Sequence, residues 1–409
     1  MSELQAPTLA PRISGLLATF YALGTILGAG IYVLVGKVAA EAGLLAPLAF
    51  ALAAGVAALT GLAYAELAAR FPRAAGAALY VQQGFGRRRL TQLAGLLVLT
   101  TGVVSAATLA NGFAGYLAVW VALPDALVTT ALIVALGLIA AWGVAESVTL
   151  AALITLVELG GLLLIIAVTG EASLARLPTA WPTLLPGADM LALGGILSGA
   201  FLAFYAYIGF EDTANLAEEV REPQKNVPRA ILWSLVIATV LYLVVALVAV
   251  LGLPLETLTT SRAPLADLYT AATGRAPTVI SLISLVAVIN GALIQIIMGS
   301  RLVYGMAREG WLPRALAQLH PQRRTPLVAT ALITAIILLL AFLPLVSLAK
   351  FTSFVILLVF AALHVALLRI KRRVPYPPGV RIYPAWIPAA GLVATLGLLT
   401  WQLRTLLAA

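Results

Sequence analysis

Four acids stand inside long apolar runs: Glu66, Glu158, Glu211 and Asp212. A lone charge at the centre of a membrane helix costs at least about 2.5–3.5 kcal/mol. Such residues are candidates for proton transfer, cation binding or gating, and no Lys or Arg stands mid-span to neutralise these four. Glu158 is flanked by LITLV and LGGLLL. It reads as a coupling carboxyl or as a protonated acid bonded to a neighbouring helix. Glu211 and Asp212 follow the aromatic run FYAYIGF (204–210). That run is either a packed face with two acids at a cytoplasmic mouth or an interrupted helix whose open turn exposes carbonyls. A second glycine-rich stretch, Gly24-Thr25-Ile26-Leu27-Gly28-Ala29-Gly30, has two readings as well. The GxxxG spacing of Gly24 and Gly28 suits close helix packing, and Gly28-Ala29-Gly30 suits an unwound turn presenting free N–H groups to an anion.

Other chemistry is excluded. There is no Cys, so thiolate catalysis, thiolate metal sites and disulfides are absent, and two His residues cannot build a histidine metal site. Gly28-Ala29-Gly30 lacks the third glycine and the α/β context of a dinucleotide loop. No nucleophile or acid–base cluster converges on one span, so an enzyme is not expected. His364 reads as a packed or hydrogen-bonded histidine, and Asn111, Asn290 and Gln295 as polar glue between helices.

The elements that must position these groups are membrane helices. The chain of 409 residues is 62% hydrophobic and 10% charged, against roughly 45–50% and about 25% in soluble domains. Such a composition fits neither a soluble enzyme nor a nucleic-acid-binding domain, despite a net charge of +9. It reads as an all-α polytopic membrane protein. Eleven segments suit a bilayer, near 13–40, 45–69, 90–120, 125–143, 147–169, 191–219, 229–252, 277–307, 326–345, 347–370 and 384–406. With the N-terminus in the cytoplasm, 19 of the 25 Lys and Arg fall on the inner side. Residues 1–12 are mixed and polar, and no removable leader is expected. The Gly turn and the FYAYIG stretch lie at matching depths in helices 1 and 6. Breaks at corresponding positions of two halves point to a transport site. Five helices per half makes the second half inverted. The units are then 13–170 and 191–370, with an additional helix at 384–406.

Four stretches carry a resemblance to a known family: GTILGAGIYVLVG (24–36), LAYAELAARFPRAAGAALYVQQGFG (62–86), AYIGFEDTANLAEEVREPQKNVPRAI (206–231) and GSRLVYGMAREGWLPRALAQLHPQRRTP (299–326). The chain resembles the amino acid–polyamine–organocation permeases, nearest the branch of cationic amino acid transporters. The resemblance implies a five-plus-five inverted repeat with discontinuous helices 1 and 6. It implies a secondary active transporter working by alternating access, by cation-coupled symport or exchange. The substrate carboxylate would lie against Gly28, Ala29 and Gly30. Its ammonium would be held by carbonyls of Ile26, Tyr205 and Ile208, with Tyr205 covering the substrate and Glu211 as gate or coupling residue. One departure is plain. Many members carry a lysine twelve residues after the Glu of a G-V-K-E-S motif. Here Gly143-Val144-Ala145-Glu146-Ser147 is followed at that distance by Glu158. Glu158 would then carry a coupled proton or bind a cation such as sodium. The partners expected are an amino acid and membrane lipid, with no cofactor and no nucleic acid, in the plasma (inner) membrane, the oligomeric state left open. A polyamine or other organic cation, and a channel or non-transporting sensor, are the competing readings.

Overall fold

The structure is a computed structural model that describes residues 13–28, 30–73, 76–143, 148–186, 190–323 and 325–408. Two halves, α1 (Gly15–Leu27) and α2 (Gly30–Ala42), make the first rod. The second is α3 (Ala46–Arg70). A short α4 (Gly76–Phe85) precedes α5 (Arg88–Leu117), α6 (Asp125–Trp142) and α7 (Val148–Ala175). A one-turn α8 (Leu177–Ala180) leads to α9 (Met190–Ala203). Two 3-10 segments, Phe204–Tyr207 and Phe210–Leu216, continue that rod. Then come α10 (Pro223–Gly252), the short α11 (Leu255–Thr260) and α12 (Pro264–Thr273), and α13 (Thr278–Arg308). The last rods are α14 (Leu327–Leu340), α15 (Leu345–Arg373) and α16 (Trp386–Ala408).

Among the described residues, nine stretches are long and apolar enough to cross a membrane. The first of them, Gly15–Arg70, contains two crossings, α1–α2 and α3, and the shorter apolar helix α14 completes the expected eleven rods. Four details differ from the sequence reading. The short helices α4, α8, α11 and α12 were not expected, because none has a membrane-length apolar run. Residues 223–228, ahead of the segment expected at 229–252, already belong to α10; Pro223 stands where a helix has no use for the missing N–H. In rod 6 the α-helix stops at Ala203, at the interruption expected in FYAYIG, but the stretch beyond it to Leu216 is 3-10 rather than α-helix. Finally, α14 ends at Leu340, ahead of Pro344, rather than at 345.

Small residues let the rods approach closely. A Cβ on Gly61 of α3 would lie 2.2 Å from Leu235 of α10. One on Gly112 of α5 would lie 2.5 Å from Val33 of α2, and one on Gly84 of α4 would lie 2.4 Å from Ala366 of α15. At the start of the chain, Ile13 forms a parallel bridge with Val220. The Ile13 N–H donates to Glu219 O at 2.9 Å, and the Arg221 N–H donates to Ile13 O at 2.9 Å. Asn111 does serve as polar glue, donating to Ala341 O just beyond α14 at 3.0 Å. His364 is buried and shares a hydrogen bond with Thr60 Oγ1 of α3 at 3.2 Å.

Candidate functional site

Rod 1 breaks where its glycines are. α1 ends at Leu27, and Gly28 turns away with φ −24° and ψ 166°. Its N–H still closes on Gly24 O at 3.0 Å, while the Gly30 N–H turns back to Gly28 O. Ala29 lies outside the described residues. α2 then begins at Gly30, so amides of its first turn, which have no partner within the helix, face the break. Rod 6 breaks differently. After Ala203 the backbone tightens into the 3-10 turn Phe204–Tyr207, closed by Ile208 N–H to Tyr205 O at 3.2 Å. Ile208 is extended (φ −66°, ψ 140°), and Gly209 adopts φ +126°, a conformation open in practice to glycine.

The two breaks touch. A Cβ on Gly30 would lie 2.9 Å from Ala206 Cα, and one on Gly209 would lie 2.3 Å from Thr25 O. Two side chains stitch them. The Tyr242 hydroxyl of α10 lies 2.7 Å from Ile26 O and 3.0 Å from Ala206 O, within donating reach of both. The Thr25 hydroxyl lies 3.0 Å from Gly209 O and 2.8 Å from Ala22 O. Tyr242→Phe removes the hydroxyl proton that the two facing carbonyls share. It is expected to cost about 1–3 kcal/mol and to slow transport. Thermal unfolding and vesicle uptake check this; a variant unchanged in both would show the bridge to be idle.

Around the breaks, Tyr205 reaches α5, where its hydroxyl and Ser105 Oγ are 2.8 Å apart. Glu211 is 7% exposed, and its Oε2 accepts the Gly209 N–H at 2.9 Å, so the carboxylate braces the open turn. Nearby, Tyr64 makes edge-to-face contacts with Tyr80, Phe210 and Phe360, its ring 5.6 Å from Phe210 and 5.7 Å from Tyr80. Ile26, Gly28, Gly30, Tyr205, Ile208 and Glu211 therefore belong to one locus. Thr25, Ser105 and Tyr242 join them without having been expected. The available signal was a lone hydroxyl in an apolar run, VLYLVV for Tyr242.

Glu158 lies on the α7 side of rod 1. Gly24, whose Cβ would fall 2.0 Å from Thr155 Oγ1, marks where α1 and α7 meet. The Tyr32 hydroxyl donates to the Glu158 main-chain carbonyl at 2.5 Å, and the Tyr116 hydroxyl donates to Tyr32 O at 2.7 Å. The carboxyl itself is fully buried, and among the described residues neither oxygen closes a hydrogen bond of sound geometry. Asn290 of α13 is the polar side chain facing it. A cavity of about 130 Å³ between α7 and α13 reaches Asn290 past Leu150, Ile154 and Ile289. Residues 144–147, which carry the departed motif, lie outside the described residues. Among the described residues no cluster of three or more His, Asp or Glu could hold a metal ion.

One acid was misjudged. Glu66 is not without a cation: its Oε1 lies 2.7 Å from Arg70 Nη2, and its Oε2 lies 2.7 Å from Lys371 Nζ on α15. The Tyr383 N–H also donates to Oε2 at 3.0 Å. This acid is a structural anchor between α3, α15 and the segment before α16.

Similar proteins are transporters. The chain is 29% identical over 355 residues to the vacuolar cationic amino acid transporter 4 of Arabidopsis thaliana, covering 82% of this chain and 58% of that one. It is 26% identical over 397 residues to a branched-chain amino acid permease of Bacillus subtilis, covering 90% and 83%. To the methylthioribose transporter of the same bacterium it is 27% identical over 417 residues, covering 94% and 88%. It thus spans little more than half the plant protein and most of the two bacterial ones. The sequence model of the family described as amino acid permease matches from residue 13 to residue 404, a stretch that takes in both breaks and reaches into the last rod, and the chain belongs to that family.

Proposed function

We propose that the protein is a secondary active transporter that moves an amino acid across the membrane by alternating access. The observation that carries the reading is the meeting of two helix breaks, gripped by Tyr242, at one point of the bundle. Opposed half-helices offer amides to a carboxylate and carbonyls to an ammonium, so a zwitterion is the natural ligand of Gly28, Ala29, Gly30, Ile26, Tyr205 and Ile208. Glu211, tied to the open turn of rod 6, is the gate. The inverted repeat over 13–170 and 191–370 is supported by packing in which α3 lies on α10, α5 on α13 and α6 on α14, each rod on its counterpart. The Lys and Arg balance supports a cytoplasmic N-terminus.

Glu158 is proposed as the coupling group. It is a buried carboxyl with unfilled oxygens beside the broken rod. Purified protein in liposomes, loaded with unlabelled solute, should exchange labelled solute from a panel of arginine, leucine, alanine, putrescine and methylthioribose. Exchange of an amino acid supports the reading. Exchange of putrescine alone would favour an organic-cation carrier, and no exchange of any panel member would overturn the amino acid reading. In the same vesicles Glu158→Gln should keep exchange but lose the acceleration by an imposed proton or sodium gradient. A variant that responds to both gradients as the parent does would remove Glu158 from coupling.

A further inference from the structure

We infer that the groove between the ends of α15 and α16 binds the headgroup of an anionic phospholipid in the leaflet on that side. The groove has a volume of about 580 Å³ and is lined by Lys371, Arg372, Tyr376, Tyr383, Leu368 and Ile382. That is within the size range of sites for small ligands, roughly 300–1,000 Å³. Its floor is set by the buried ion cluster. Lys371 is spent on the Glu66 carboxylate at 2.7 Å and on Tyr383 O at 2.6 Å, so it shapes the groove without supplying free charge. Arg70, the other cation on Glu66, also donates to Val374 O at 2.8 Å and holds the end of α15. The free charge comes from Arg372, which is exposed and lines the groove, with exposed Arg373 and Arg381 flanking it. Arg381 lies over the Tyr383 ring at 5.6 Å from its centre.

Three features select the ligand. First, cations outweigh acids here: no Asp or Glu occurs anywhere from Gly310 to Ala409, the buried Glu66 beneath Lys371 is already neutralised twice, and Glu222, beside the Gln224 that a Cβ on Gly379 would approach at 3.7 Å, is paired with Lys225. Second, the site lies just beyond the apolar parts of two rods, so acyl chains could run along them while a headgroup meets Arg372. Tyr376, 84% exposed, and Trp386, 63% exposed, stand where interfacial aromatics sit. Third, the lining mixes cations, phenols and apolar side chains, which suits a phosphate joined to glycerol better than a bare anion. Burial raises the Tyr383 phenol against the opposing field of Arg381, leaving a neutral hydroxyl at neutral pH. Basic pockets between membrane helices recognise anionic headgroups in this way. This inference does not depend on what the protein transports.

Native mass spectrometry of the detergent-solubilised chain, supplied with phosphatidylglycerol or with phosphatidylcholine, tests it. One phosphatidylglycerol should be retained preferentially. Arg372→Gln and Arg381→Gln should each weaken retention by about fivefold, and the pair should abolish the adduct. Both side chains are exposed, and size-exclusion profiles check folding. Arg404→Gln, outside the groove, should retain lipid as the parent does. Equal retention of the two lipids, or retention unchanged in the double variant, would overturn the assignment. Displacement of the adduct by inorganic phosphate at matched ionic strength would show a free-anion site instead.

Discussion

Alanine at Gly209 is expected to abolish uptake and to lower stability by more than about 3 kcal/mol. Two penalties add. At φ +126° an L-residue is strained, at a cost of order 1–3 kcal/mol. The added Cβ would also lie 2.3 Å from Thr25 O, 2.6 Å from Thr25 C and 3.1 Å from Ile26 N. All three are main-chain atoms of the last turn of α1, so no rotamer change relieves the overlap. The breaks must separate, and with them the carbonyls and amides proposed to grip the solute. Gly30→Ala should follow the same course more mildly, since its Cβ would meet Ala206 Cα at 2.9 Å without unusual dihedrals. Gly55→Ala is the control, because nothing lies within 4 Å of a Cβ there, and alanine is the better helix former. Uptake by liposomes and thermal unfolding in detergent measure the series. Wild-type uptake by Gly209→Ala would mean that the breaks do not have to touch.

The second large effect belongs to Glu66→Ala. The carboxylate is buried, and its cations are nearly so, with side-chain exposures of 3% for Arg70 and 9% for Lys371. Removing one member of a buried pair leaves charge without compensation and costs about 3–5 kcal/mol. Here two cations lose their partner, and the Tyr383 N–H loses its acceptor. A substantial drop in the unfolding midpoint is expected. Replacing all three, Glu66→Leu, Arg70→Leu and Lys371→Met, should recover much of it, because a well-packed apolar set can match a buried ion cluster. A single variant that unfolds with the parent would show that the cluster contributes nothing to holding α3 against α15.

How far the sequence could be read depended on whether a signal was local. The rods were legible because each is a long apolar run, α14 the shortest of them. The breaks were legible because Gly28, Gly30 and Gly209 are neighbours of the residues they serve. The pairing of Glu66 was not legible in full. Lys371 belongs to a basic run that also suits a helix end at the interface, and only the fold brings it to α3. Tyr242 was hidden for a related reason. Its hydroxyl acts on two carbonyls, Ile26 O and Ala206 O, that are far apart along the chain. α4 escaped because its sequence is too short and too mixed to stand out by periodicity. Gly24 shows that two readings of one motif can both hold: it seats Thr155 of α7, while Gly28, four residues on, ends the helix.

The paired amides and carbonyls linking Ile13 to Glu219 and Arg221 join the entrance of rod 1 to the exit of rod 6. That clasp makes the lower arms of the two interrupted rods mechanically one lever. Neither can swing aside to admit water from below unless the other travels with it or the clasp first lets go.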